Sequence, residues 1–341
     1  MPRREPVALT RLSPASAAPI KKGADVPVRS VDIHAHYYPE EFLHLLGSEG
    51  KTFGASYTRQ ETTFSFSTPA GGLGPLPLKF IDVQALSLSV PMVYWADRQL
   101  NARLARAWND AASMVHRQHP QRFVVLATLP MLEADDAIAE LERAAELPGV
   151  RGVYMGTNIN GLDLDNPRFA PVFARIEQLG LPVFLHPQQT VGGNRLSNYY
   201  LSNLLGNPFD TAIAASHLIL GGVLDQYPQL HVSLPHAGGA LPILVGRLDA
   251  GWTSRPETRR LAQKPSSYLT RFSYDTVSHS GPVLDYLIAN VGIDHLVLGS
   301  GYCFDMGYEQ PVRFVESVGL GPREKAAVLG ANAARILKLP V

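Results

Sequence analysis

The chain alternates between short apolar runs and longer segments in which apolar residues recur every three or four positions. The short runs fall at 30–36, 83–90 (VQALSLSV), 123–129 (FVVLATL), 149–155 (GVRGVYM), 181–186 (LPVFLH), 230–236 (LHVSLPH), 271–276 (RFSYDT) and 295–300 (HLVLGS). Most are apolar on both faces, as expected of parallel strands covered by helices. Helical segments such as 98–118, 133–147, 168–180, 282–290 and 323–337 lie between them. Eight β/α units in a chain of this length predict an α/β fold of the (β/α)8, or TIM barrel, type. The regularity breaks at about 50–80, where TFGASYTRQETTFSFS alternates and then meets a Gly- and Pro-rich run. This reads as a small β-hairpin inserted after the first strand, at the end of the barrel where the site would lie. A second long connection, 187–208, follows the fifth strand and is placed as an arch over the pocket.

Composition narrows the class without changing this picture. The 341 residues are 45% hydrophobic and 18% charged, enough to bury a large core. Thirty basic residues balance thirty acidic ones, so no overall field draws the chain to nucleic acid or to an anionic membrane. No apolar run has the length of a membrane span. A lone cysteine, Cys303, excludes an intrachain disulfide and reads as an inert buried thiol in a reducing, cytoplasmic setting. Residues 1–28, rich in Pro, Ser and Ala, are expected to form a flexible N-terminal arm, and 29–341 the barrel.

Chemistry enters with histidine. In Val31-Asp32-Ile33-His34-Ala35-His36 two imidazoles stand at i and i+2 where an apolar run stops, so on a strand they share a face. His186 ends the fifth strand candidate, and His236 closes the sixth. The carboxyl ends of parallel barrel strands share one rim, so the four converge although far apart in sequence. Three neutral imidazoles with an open position suit a catalytic divalent ion, which acidifies bound water, and a fourth that does not ligate can move protons. The competing reading is a set of packing histidines.

The order of these residues, with Phe209-Asp210-Thr211, the run Pro235-His236-Ala237-Gly238-Gly239-Ala240-Leu241-Pro242, Gly246-Arg247-Leu248-Asp249 and Leu298-Gly299-Ser300, resembles the amidohydrolase superfamily. More narrowly it is similar to the branch containing aminocarboxymuconate semialdehyde decarboxylase and related metal-dependent nonoxidative decarboxylases, over about residues 30–338. The resemblance implies a barrel, usually dimeric, holding one Zn2+ or a similar ion such as Mn2+. It implies that His34, His36 and His186 are metal ligands and that His236 is the proton-transferring histidine. It also implies that Arg247 reaches the substrate carboxylate in the neighbouring subunit of a homodimer.

One departure stands against these matches. The family's Gly-Ser-Asp-Tyr after the eighth strand, whose aspartate ligates metal, is here Gly299-Ser300-Gly301-Tyr302. Gly301 leaves three neutral histidines without their anionic companion and lowers the expected turnover. An inactivating substitution, a member that uses its metal differently and a retired paralogue all fit. Asp305, four residues on, is a candidate replacement, against the alternative of a loop-stabilising residue. Tyr94-Trp95 and Tyr199-Tyr200 are candidate walls of an aromatic pocket, and Arg59 a candidate carboxylate clamp. The other seven histidines receive no role.

The resulting expectation is a carbon-carbon lyase acting on a small aromatic or unsaturated carboxylic acid. The alternatives are a metal-dependent hydrolase or hydratase of a lactone, amide or enoic acid, and a noncatalytic barrel that binds a carboxylate or a partner.

Overall fold

A computed structural model describes residues 30–60, 63–68, 71–73, 81–259 and 261–339, without the side chains of 59–80. The expected arm at 1–28 and the side chain of Arg59 therefore lie outside the described residues. In chain order the strands are β1 (Val31–His36), β2 (Ser56–Gln60), β3 (Thr63–Thr68), β4 (Gly71–Leu73), β5 (Val83–Ser87), β6 (Phe123–Thr128) and β7 (Val150–Gly156). They continue with β8 (Asn158–Ile159), β9 (Leu162–Asp163), β10 (Val183–His186), β11 (Val232–Leu234), β12 (Phe272–Asp275) and β13 (Leu296–Val297).

All eight expected barrel strands are present. They form one sheet in the order β1-β5-β6-β7-β10-β11-β12-β13, with every neighbour parallel. The last strand returns to the first: Ile33 N–H donates to Leu298 O (3.0 Å), Gly301 N–H to His34 O (2.9 Å) and His36 N–H to Tyr302 O (2.6 Å). Every residue of β1 is buried, which is why its sequence is apolar on both faces except where chemistry intervenes.

The helix Arg98–Gln118 shows how the outer ring attaches. Leu100, Leu104, Trp108 and Ala112 recur at helical spacing and are buried, and the Asp97 carboxylate caps the first turn by accepting the Leu100 N–H at 2.8 Å. Trp108 Nε1–H donates to Tyr37 O at 2.9 Å, tying this helix to the end of β1.

Two expectations are revised in detail. The inserted hairpin gains a third short strand: β2-β3-β4 is an antiparallel sheet, and β2 lies against the helix Glu40–Ser48. The helices Glu40–Ser48, Asn207–Leu220 and Leu241–Ser254 join those named from the sequence pattern. Asn207–Leu220 is apolar on most sides, so it carries little of the periodicity that marks a helix. Among the described residues, no helix is long and apolar enough to cross a membrane.

Candidate metal centre

His34, His36 and His186 meet at the carboxyl ends of β1 and β10, as the strand-end reading predicts. Their side chains are buried, with 3%, 2% and 5% exposure, and their candidate ligand atoms all lie within 4.8 Å of one another. The ring centroids stand 5.0 Å (His34–His36), 5.2 Å (His34–His186) and 5.0 Å (His36–His186) apart. The floor beneath them is rigid: Asp32, fully buried, accepts the N–H of His34 (3.0 Å), the N–H of Ser300 (3.0 Å) and the Ser300 hydroxyl (2.6 Å).

Each imidazole is held by an oxygen at Nδ1. His34 Nδ1 is 2.5 Å from Asp275 Oδ2, and His36 Nδ1 is 2.9 Å from the Ser87 hydroxyl, which itself donates to Ala35 O (3.0 Å). His186 Nδ1 is 2.8 Å from Pro187 O and 3.2 Å from the Ser89 hydroxyl. These partners put the ring proton on Nδ1 and leave the Nε2 lone pair for another acceptor of electrons. His36 Nε2 is buried and has no hydrogen-bond partner. This atom is one of three Nε2 donors in the cluster, and three neutral imidazoles within reach of one another fit a divalent ion.

Electrostatics favours the same state. Burial, followed by the neighbouring imidazoles, holds His36 and His186 well below the usual histidine range, so both are neutral and able to ligate. For Asp275 burial acts to raise the carboxyl, but the His34 hydrogen bond and charge and the other contacts prevail and lower it.

His236 completes the cluster, its ring 5.3 Å from that of His34 and 5.4 Å from that of His186. It is brought there by an unusual turn after β11, in which His236, Ala237, Gly238 and Gly239 all have positive φ (54°, 53°, 79° and 60°). Two consecutive non-glycine residues in this region cost about 1–2 kcal/mol each and persist only where the surroundings impose them. Burial, followed by the charge of His34, pushes His236 down to about 4. Its Nδ1 is buried and without a partner, so no protein hydrogen bond pins its tautomer.

A cavity of about 610 Å³ opens above the imidazoles of His34, His186 and His236. Its walls are largely apolar, with Leu204, Leu205, Ile243, Val283, Phe304 and Met306, and none of the described residues lining it is Arg, Lys, Asp or Glu. The connection at 187–208 contributes Asn203 to Leu205, Asn207 and Pro208, so it does arch over the pocket.

Several expected residues stand elsewhere. Tyr94 is buried in the core and Trp95 Nε1–H is spent on Met92 O (3.1 Å); neither lines the cavity. Tyr199 is 87% exposed, while the Tyr200 hydroxyl donates to Asp305 Oδ1 at 3.2 Å, joining the arch to the loop after β13. Asp305 thus holds a loop and is not among the cavity walls. Arg247 is exposed on the helix Leu241–Ser254 and does not line its own chain's cavity. Cys303 is buried, as expected.

Gly301 lines the cavity at φ +68°, and a Cβ there would meet Gly307 Cα at 3.1 Å. The loop is therefore folded around a glycine at this position, and an aspartate would need local rearrangement. Sequence reasoning missed Asp275, His279 and the walls Phe304 and Met306. Asp275 ends a recognised strand candidate at the same rim, so the rule that found the histidines also reaches it.

Buried neutral histidines have a consequence for stability. His36, His186, His231 and His236 all titrate lower in the fold than the ordinary 6.5, the last two at about 4, so the unfolded chain binds more protons between those values. Asp32 and Asp210, raised mainly by burial, act in the opposite sense, but they are fewer. Stability of metal-free protein is expected to be complete above about pH 6.5 and to fall as pH drops toward about 4. Urea midpoints measured across that window test this; a constant midpoint contradicts it.

Comparison with known proteins agrees with this architecture. The amidohydrolase family profile matches residues 31–339. A 2-amino-3-carboxymuconate-6-semialdehyde decarboxylase of Dictyostelium discoideum is 35% identical over 264 residues, 76% of this chain and 73% of that protein. A gamma-resorcylate decarboxylase of Rhizobium sp. (strain MTP-10005) is 25% identical over 281 residues, 76% of this chain and 84% of its own. Among solved structures, 5-carboxyvanillate decarboxylase from Sphingomonas paucimobilis aligns with a TM-score of 0.78 at 25% identity, covering 92% of this chain and 100% of that one. With the profile running from the first barrel strand to the last helix, and a relative of this identity across most of the barrel, the chain belongs to the amidohydrolase family, in its decarboxylase branch.

Proposed function

We propose that this protein is a metal-dependent nonoxidative decarboxylase of a small aromatic or unsaturated carboxylic acid. The observation that carries the reading is the cluster of four imidazoles under a cavity whose described walls are largely apolar, in a chain whose relatives are decarboxylases. His34, His36 and His186 would hold the ion. Three imidazoles without a carboxylate favour Zn2+ over Mn2+, which prefers oxygen ligands. When bound, such an ion supplies positive charge that orients and polarises a substrate oxygen.

The protein's own groups then perform the remaining work. The apolar walls accept the flat hydrocarbon body of the substrate and exclude water. His236 delivers a proton to the carbon that bears the carboxylate. As the carbon-carbon bond breaks, its electron pair returns to the substrate and CO2 leaves; His236 regains its proton from solvent.

The walls also bear on assembly. Among the described residues lining this cavity a carboxylate finds no arginine or lysine, and Arg247 is exposed on its helix and is not one of them. Beside it lie exposed apolar residues, Ile243, Leu244, Val283 and Tyr286, of the kind that a subunit contact covers. These features support a homodimer in which Arg247 of one copy serves the cavity of the other.

Gly301 favours one second reading, a barrel that binds a carboxylate without turning it over. Released CO2 separates the two, measured with Zn2+-loaded protein on hydroxybenzoates and muconate-like acids, with lactones alongside. CO2 release with intact lactones is the expected result. Lactone opening without CO2 assigns hydrolysis, and binding without turnover assigns the noncatalytic barrel.

A further inference from the structure

We infer that Asp275 is a positioning residue that sets both the metal-facing histidine and the proton-transferring one, supplying the site with the anion that Gly301 does not. The inference rests on the proposed metal site but draws on residues outside it. Asp275 ends β12 and is fully buried. One carboxylate oxygen, Oδ2, is 2.5 Å from His34 Nδ1. The other, Oδ1, accepts the N–H of Ala237 at 2.9 Å and the N–H of Val277 at 3.0 Å.

A single carboxylate thus joins three segments: β1 with His34, the strained turn that carries His236, and the loop beyond β12. Ala237 is the residue after His236, and its φ of 53° is part of the turn that aims the His236 ring. Anchoring its N–H fixes the conformation that the neighbouring side chain depends on. The close approach of Asp275 to His34 is itself built in, because a Cβ on Gly299 would stand 2.9 Å from Asp275 Cβ and 3.1 Å from His34 Cβ.

An ionised carboxylate only accepts hydrogen bonds. His34 must therefore carry its proton on Nδ1 and present the Nε2 lone pair inward, the tautomer a metal ligand needs. Asp275 is not in the group of side chains whose ligand atoms lie within 4.8 Å of one another, and both its oxygens are already engaged. It acts through His34 and His236.

Asp275→Asn is the discriminating change. The amide oxygen can still accept the two backbone N–H groups, but its NH2 faces His34 Nδ1 and drives the ring proton to Nε2. Zn2+ affinity, measured by chelator competition, is expected to fall about 10–100-fold with an unchanged circular dichroism spectrum. Equal affinity in the variant and the unmodified protein overturns the inference, as a purely structural carboxylate would lower thermal stability alone. A second measurement needs no Asp275 variant: 15N spectra of histidine-labelled, metal-free protein, with His34 assigned by its loss in His34→Gln. The Nδ1–H tautomer at His34 is expected, and the Nε2–H tautomer overturns the inference. If the unmodified protein binds no Zn2+, the metal reading fails, while the tautomer still decides whether Asp275 orients His34.

Discussion

Replacing His236 with alanine is expected to lower kcat for decarboxylation by about 10²–10⁴-fold, the range for loss of a positioned proton-transfer group, while Zn2+ stoichiometry stays as in the unmodified protein. The reason lies in its surroundings. His36 and His186 each have Nδ1 bound to a fixed oxygen, whereas His236 Nδ1 has no partner and its ring lines the cavity. A ring whose tautomer no protein hydrogen bond pins can present either nitrogen to a substrate in the cavity. Elemental analysis beside a CO2 assay checks the split. An unchanged kcat removes His236 from the mechanism, and loss of metal with the ring reassigns it as a ligand.

His186→Ala is expected to give the opposite pattern, with bound Zn2+ falling from near one per chain toward zero and turnover falling with it. His186 lies 5.2 Å and 5.0 Å, ring to ring, from His34 and His36, and it is the one member of the trio supplied by a different strand. Its loss leaves two imidazoles from β1, too few to enclose an ion in a site that has no carboxylate at Gly301. The drop in affinity should exceed the about 10–100-fold cost of disturbing an outer partner. Elemental analysis and chelator competition measure it, and full metal occupancy in the variant contradicts the three-histidine site. Together the two variants separate binding from proton transfer, because His236→Ala is expected to spare the metal that His186→Ala removes.

Much of this site is legible in the order of the residues alone. His34 and His36 are readable because strand geometry alternates side chains, so i and i+2 share a face wherever the strand ends up. His186 and His236 are readable because each closes an apolar run, and parallel strands in a barrel bring such ends to one rim. The aromatic pairs show the limit of that rule. Tyr94 and Trp95 also follow a strand, yet the chain turns there and buries Tyr94 in the core, away from the cavity. Proximity to the rim does not state which way a loop residue faces.

The family resemblance implies which three histidines ligate and that Gly301 stands where a carboxylate is usual; the sequence alone determined the order and spacing of the barrel strands and the four histidines at their ends. These are properties of local periodicity and of residue identity at strand ends, and neither depends on distant contacts. Only the tertiary structure decided that Asp275 grips His34 across 241 positions of sequence, that the turn at 236–239 runs at positive φ, and that Arg247 faces outward. Those outcomes follow from how the strands close on one another and how the turns between them resolve their hydrogen bonds. That free energy is shared among segments far apart in the chain, so no single stretch of it carries the signal.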